Sequence, residues 1–204
     1  QGLRISRRVL RDQLRQIAKH YRFLDPQAFL ADDAAPREGE PDGRPGVLLT
    51  VDDGYLDFVE HAMPELKAAN APLLLFVSTG FVGGELWFWW DQLRHVLKQA
   101  RPGRYAFEMD GVRDEVVLNH ESDVDREWDR ISTRLRFLNH DIKLATVASI
   151  SAAVGVPVSA TPPPEYAAMS WDQVREVARQ GITVGAHTIS HAIVSLLDAD
   201  DLTR

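Results

Sequence analysis

Apolar and polar positions along the chain fall into blocks that read by turns as helices and as buried strands. In SRRVLRDQLRQIAKHYRFL, residues 6–24, Val9, Leu10, Leu14, Ile17 and Ala18 recur at helical spacing with basic residues on the other face, which predicts an amphipathic helix. A loop rich in Asp, Pro and Gly follows from Asp32 to Gly46. Val47–Val51 is then a continuous run of apolar and β-branched residues, the pattern of a strand covered on both faces in a parallel sheet. LDFVEHAMPELKAAN predicts a helix interrupted or kinked at Pro64, and PLLLFVS, from Pro72 to Ser78, a second buried strand that ends at the turn TGFVGG. This strand, helix, strand order predicts a right-handed βαβ unit of an α/β sheet or barrel.

From residue 85 the rhythm changes. LWFWWDQLRHVLKQ predicts an aromatic helix, and RYAFEMDGVRDEVVL a β-hairpin turned at Asp110-Gly111. Polar helical segments follow, and TPPPEY reads as a stiff linker. The expected organisation is therefore residues 1–84 as the first part of an α/β barrel, 85–164 as an insertion or subdomain, and 165–204 as a continuation of the barrel. In that last part Ser170 and Gln173 form a capping-box pattern, WDQVREVARQ is the helix, Gly181 its stop, and ITVGA a short strand.

Composition narrows the partners. A net charge of −7 argues against nucleic acid or an anionic membrane face as the main partner, and no apolar run approaches the roughly 20 residues of a membrane span. The chain has no cysteine, so a metal site must draw on His, Asp or Glu.

Two stretches carry chemistry. GVLLTVDDGYLD drives a strand straight into two adjacent carboxylates, which repel each other and resist burial unless a cation or hydrogen bonds compensate them. HTISH, His187–His191, places two histidines at i and i+4, convergent on a helix or in a tight loop. Alone, that spacing is as well explained by two histidines in ordinary hydrogen bonds. Both stretches, however, follow the C-terminal ends of apolar strands, where α/β folds build their sites. One carboxylate and two histidines make a three-ligand set with an open position, the arrangement of a catalytic zinc. The second carboxylate is left to act as a base.

LLTVDDGYLD together with VGAHTISH resembles the first two motifs of the polysaccharide deacetylases, carbohydrate esterase family 4, the NodB homology domain; Val51 stands where the first motif has Phe. MPELKAANAPLLLFVSTGFVG and MSWDQVREVARQGITVGAHTISH are also similar to that family. The resemblance implies a distorted (β/α) barrel and hydrolysis of an N-acetyl group on a carbohydrate. In that reaction water attacks the amide at a metal centre with Asp52 as general base. It implies Asp53, His187 and His191 as metal ligands and the Tyr55 backbone N–H as oxyanion donor. It also implies an exported or envelope-associated protein, although a cytoplasmic one fits the composition equally. Zinc is the default ion for two histidines and a carboxylate, with manganese, cobalt and iron open to the same ligand types.

The family's later motifs, an Arg-x-Pro stretch, an Asp-Trp type stretch and the Leu-x-His that supplies the acid, have no counterpart after His191. His20, His61, His95, His120 and His140 lie in no matching context. The barrel is accordingly expected to be incomplete, either a fragment or a chain completed by a second one. A non-catalytic metal- or carbohydrate-binding remnant, and a related C–N hydrolase on a non-sugar amide, are the alternatives. A magnesium-binding receiver domain also ends a strand in an acidic pair, but here 46 residues precede that strand and HTISH would have no purpose. Trp87, Phe88, Trp89 and Trp90 are expected to pack the insertion, with stacking on sugar rings as the alternative. DREWDRISTRLR reads as a solvated helical face, DADD at 198–201 as a helix N-terminus, and Thr79-Gly80 as bordering the pocket.

Overall fold

Ser6 starts the first helix by accepting the Val9 N–H on its hydroxyl, which satisfies one of the amides a helix start leaves without a partner. A computed structural model describes residues 5–31, 43–200 and 202; positions 32–42 of the Asp/Pro/Gly-rich loop, and Asp201 of DADD, lie outside them. In chain order the elements begin with α1 (Arg7–His20), β1 (Arg22–Phe23), α2 (Pro26–Leu30), β2 (Gly46–Val47) and β3 (Thr50–Val51). A π-helical turn (Phe58–Ala62), α3 (Met63–Ala68), β4 (Leu74–Val77) and α4 (Thr79–Val82) come next. Then follow α5 (Trp89–Gln99), β5 (Gly103–Met109), β6 (Val112–Leu118), α6 (Glu121–Leu135), α7 (His140–Val154), α8 (Trp171–Arg179) and β7 (Thr183–Ala186). The chain divides into two compact units, one formed by Leu3–Glu85 and Ala167–His191, the other centred on Leu86–Tyr166.

In the first unit β4 is the middle strand of a parallel sheet ordered β3-β4-β7, with Leu75 opposite both Val51 and Val184. Leu74, Leu75 and Val77 are buried, as the unbroken apolar run predicts for a strand covered on both faces. Leu75 and Val77 pack with Leu14 of α1, Phe58, Met63, Leu66, Val174 and Val177 into one core.

Two predicted boundaries move. The helix read over residues 6–24 stops at His20, because Arg22–Phe23 pairs in parallel with Gly46–Val47 instead. The run Val47–Val51 is for the same reason split between two partners, β1 at its start and β4 at its end. Side-chain periodicity carries no information about which distant backbone a strand will pair with. Pro64 acts as expected on its helix: it lacks an N–H and crowds the preceding turn, and that turn, Phe58–Ala62, is widened to π geometry before α3 begins.

Glu65 ties α1 to α3. Its buried carboxylate accepts from Arg11 Nε at 2.7 Å and Nη2 at 2.9 Å, and from Arg7 Nε at 3.1 Å and Nη2 at 2.9 Å. Arg11, joined by Arg7, holds Glu65 down at about 2 from 4.5, against burial pulling the other way. A carboxyl whose folded value is depressed stabilises fully above its unfolded value and loses that contribution as pH falls through the folded one. The urea midpoint should therefore drop between about pH 4.5 and 2 in the parent and less steeply in Glu65→Gln. Identical slopes would remove Glu65 from the account.

The described strands form the three-stranded sheet, a two-stranded parallel pair and a hairpin, and among the described residues no barrel closes. The fold is mixed α/β.

The second unit holds the predicted hairpin, with Met109 opposite Val112 and both turn residues left-handed, Asp110 at φ 51° and Gly111 at φ 73°. Its core joins Leu93, Val96, Phe107, Val116, Ile131, Leu135, Val147 and Ile150. Helix α6 departs from the solvated face expected of DREWDRISTRLR. Arg130 pairs with Glu127 and with Asp114 of β6, both at 2.8 Å, and Arg134 also reaches Asp114, so the charges lock the helix to the hairpin. Trp87, Phe88 and Trp89 are buried, and Trp90, partly buried, stacks on Phe88 with centroids 4.3 Å apart and packs against the core of this unit, so all four aromatics pack within it. Asp198–Asp200 lie in a turn closed by the Leu202 N–H donating to the Asp198 carbonyl. No helix among the described residues is long and apolar enough to cross a membrane.

Candidate metal centre

The site grows from the C-terminal edge of the β3-β4-β7 sheet. Strand β3 runs into Asp52 and Asp53, and β7 runs into His187, on either side of β4. The backbone ladder continues past both ends. Ser78 N–H donates to the Asp53 carbonyl at 3.1 Å and His187 N–H to the Val77 carbonyl at 2.9 Å, so the two chemical stretches are anchored to one strand.

Local backbone then turns the side chains toward each other. Asp53 has φ 77°, Thr188 φ 61° and His191 φ 57°, conformations that non-glycine residues rarely adopt and that persist only where surroundings enforce them. HTISH is thus a tight loop, and it converges its histidines without a helix. Gly54, at φ 94°, admits no side chain: a Cβ there would stand 2.9 Å from Val82 Cγ2 and 3.3 Å from Val77 Cγ1. Gly54→Ala is expected to lower stability by about 1–3 kcal/mol from backbone strain alone. Chemical denaturation measures it, and an unchanged midpoint would contradict this geometry.

The three side chains converge. Asp53 Oδ1 lies 3.3 Å from His191 Nε2 and 3.9 Å from His187 Nε2. One ligand atom from each residue falls within 4.8 Å of the others. The imidazole rings meet edge to face, with centroids 4.6 Å apart at 83°. Asp53 Oδ1 is buried and accepts no hydrogen bond. Burial pushes the Asp53 carboxyl up, His191 and His187 pull it back down, and the neighbouring Asp52 pushes it further up. A buried carboxylate oxygen without a donor, faced by two imidazole nitrogens, is the electrostatic demand that a divalent cation meets. Asp53, His187 and His191 could hold a metal ion, and the donor set fits one.

The remaining expected residues flank this cluster. Asp52 is exposed, directly before Asp53. Tyr55 is bridged to Ala168 by two bonds, Leu56 N–H to the Ala167 carbonyl at 2.8 Å and Met169 N–H to the Gly54 carbonyl at 2.9 Å. Its ring stands edge-on to Phe81, 4.9 Å between centroids. The amides of Thr79 and Gly80 donate to the carbonyls of Thr188 and Ile189 at 3.0 and 2.9 Å. Thr79-Gly80 therefore braces the histidine loop. Ser78 is the residue that sequence reasoning passed over; the available signal was a hydroxyl closing an otherwise apolar strand.

No family model and no curated protein matches this chain. Among solved structures the chain is similar to a de-N-acetylase from Aggregatibacter actinomycetemcomitans, with 16% identity and a TM-score of 0.40 over 90% of this chain and 44% of that one. It is also similar to IcaB from Ammonifex degensii, with 20% identity and a TM-score of 0.32 over 98% of this chain and 87% of that one. The chain spans less than half the length of the first of these. Both likenesses are slight, and the chemistry of the site rests on its own geometry.

Proposed function

We propose that this chain carries the metal centre of a carbohydrate N-deacetylase of the polysaccharide deacetylase type, a hydrolase of non-peptide C–N bonds. The observation that carries the reading is the convergence of Asp53, His187 and His191 around a buried carboxylate oxygen without a donor, with a second carboxylate next in sequence. The open parallel sheet is read as part of a (β/α) barrel, built from residues 1–84 and 165–204 and interrupted by 85–164.

Asp53 supplies the anionic ligand and His187 and His191 the neutral ones, each presenting Nε2 toward Asp53. A divalent ion held there, zinc first by donor type, would polarise an amide carbonyl and acidify water. Asp52, exposed and outside the ligand set, takes the proton from the attacking water. The Tyr55 backbone N–H donates to the oxygen that gains charge as the C–O bond forms, and the proton taken up by Asp52 passes to the amine nitrogen as that charge collapses and the C–N bond breaks. Acetate and a free sugar amine are the products.

Acetate release from an N-acetylated oligosaccharide, lost on chelation and restored by zinc, tests this reading. A metal-loaded protein that releases no acetate from such substrates would overturn it.

A further inference from the structure

We propose that Ser78 is a positioning residue that clasps the two halves of the ligand set together, an inference that rests on the metal reading above. Asp53 and His187 belong to stretches 134 residues apart in sequence, and Ser78 touches the backbone of both. Its N–H donates to the Asp53 carbonyl at 3.1 Å, and its hydroxyl donates to the His187 carbonyl at 3.0 Å. Ser78 is fully buried, so no water competes for either bond.

The clasp opposes a specific conformational load. Asp53, Thr188 and His191 all hold left-handed backbone, and each would relax toward ordinary φ if its neighbours allowed. The next two amides, those of Thr79 and Gly80, hold Thr188 and Ile189 from the same side. The histidine loop is thus pinned at three successive carbonyls, and Ser78 supplies the one that belongs to a ligand. Among these donors it is also the one made by a side chain, and so the one that substitution can remove while the backbone bonds stay. Groups that hold metal ligands in place without touching the ion typically contribute about 10–100-fold to affinity.

The test is a titration of the purified chain with Co(II) against a competing chelator, following the visible absorption that reports ligand geometry. Ser78→Ala is expected to weaken cobalt affinity by about 10–100-fold and alter that absorption, and Ser78→Thr, which keeps the hydroxyl, to restore both. If Ser78→Ala does not fold, Ser78→Cys, whose thiol is a weak donor, is expected to show the same loss in part. Parent-like affinity and absorption in Ser78→Ala would overturn the clasp and leave the metal centre standing. A parent chain that binds no cobalt would overturn both.

Discussion

Replacing His187 or His191 by alanine is expected to abolish retention of a divalent ion. Each histidine presents Nε2 to the same buried oxygen of Asp53, at 3.9 and 3.3 Å, so removing one leaves an incomplete donor set. The loss should exceed roughly a hundredfold in affinity, because disturbing an outer partner of a ligand already costs about 10–100-fold. Neither change should unfold the chain. His187 is joined to the sheet through its backbone N–H on Val77, a bond that alanine keeps, and both imidazoles are only half-buried. Metal content after desalting, read beside the thermal midpoint of the metal-free protein, checks both statements. A His191→Ala protein that keeps its ion would remove that residue from the centre.

Asp52→Asn is expected to separate binding from turnover. Asp52 lies outside the ligand cluster and is exposed, so the asparagine variant should load metal as the parent does. Asparagine cannot take a proton from water, and loss of a positioned general base typically costs about 10²–10⁴-fold in rate. Acetate release from an N-acetylated oligosaccharide should fall by that factor at unchanged metal content. Full activity in Asp52→Asn would assign the base elsewhere.

How much of this was legible in the sequence differs from element to element. The buried strand β4 was plain, because an unbroken apolar run has few other homes. The hairpin was plain because Asp110-Gly111 supplies two residues that tolerate positive φ. The ends of α1 and β3 were not, since the pairing of Arg22–Phe23 with Gly46–Val47 joins stretches whose side-chain patterns say nothing of each other. Helix α6 misled for a related reason: its arginines look solvated until Asp114 of the neighbouring strand is placed beside them. At the site, residue types and order pointed to a metal, but left open whether HTISH is helix or loop. That was decided by the left-handed backbone at Thr188 and His191 and by the Ser78–Gly80 donors, which are tertiary facts. The α/β order was legible in the strand, helix, strand pattern; the closed barrel was implied by the resemblance, and the described residues form an open sheet of three parallel strands.

The central claim is that Asp53, His187 and His191 form one metal site. Elemental analysis of the purified chain after zinc loading and desalting, alongside Asp53→Ala, tests it most directly. The account predicts one zinc ion per chain in the parent and none in the variant. A parent chain without zinc, or an Asp53→Ala chain that retains it, would contradict the site.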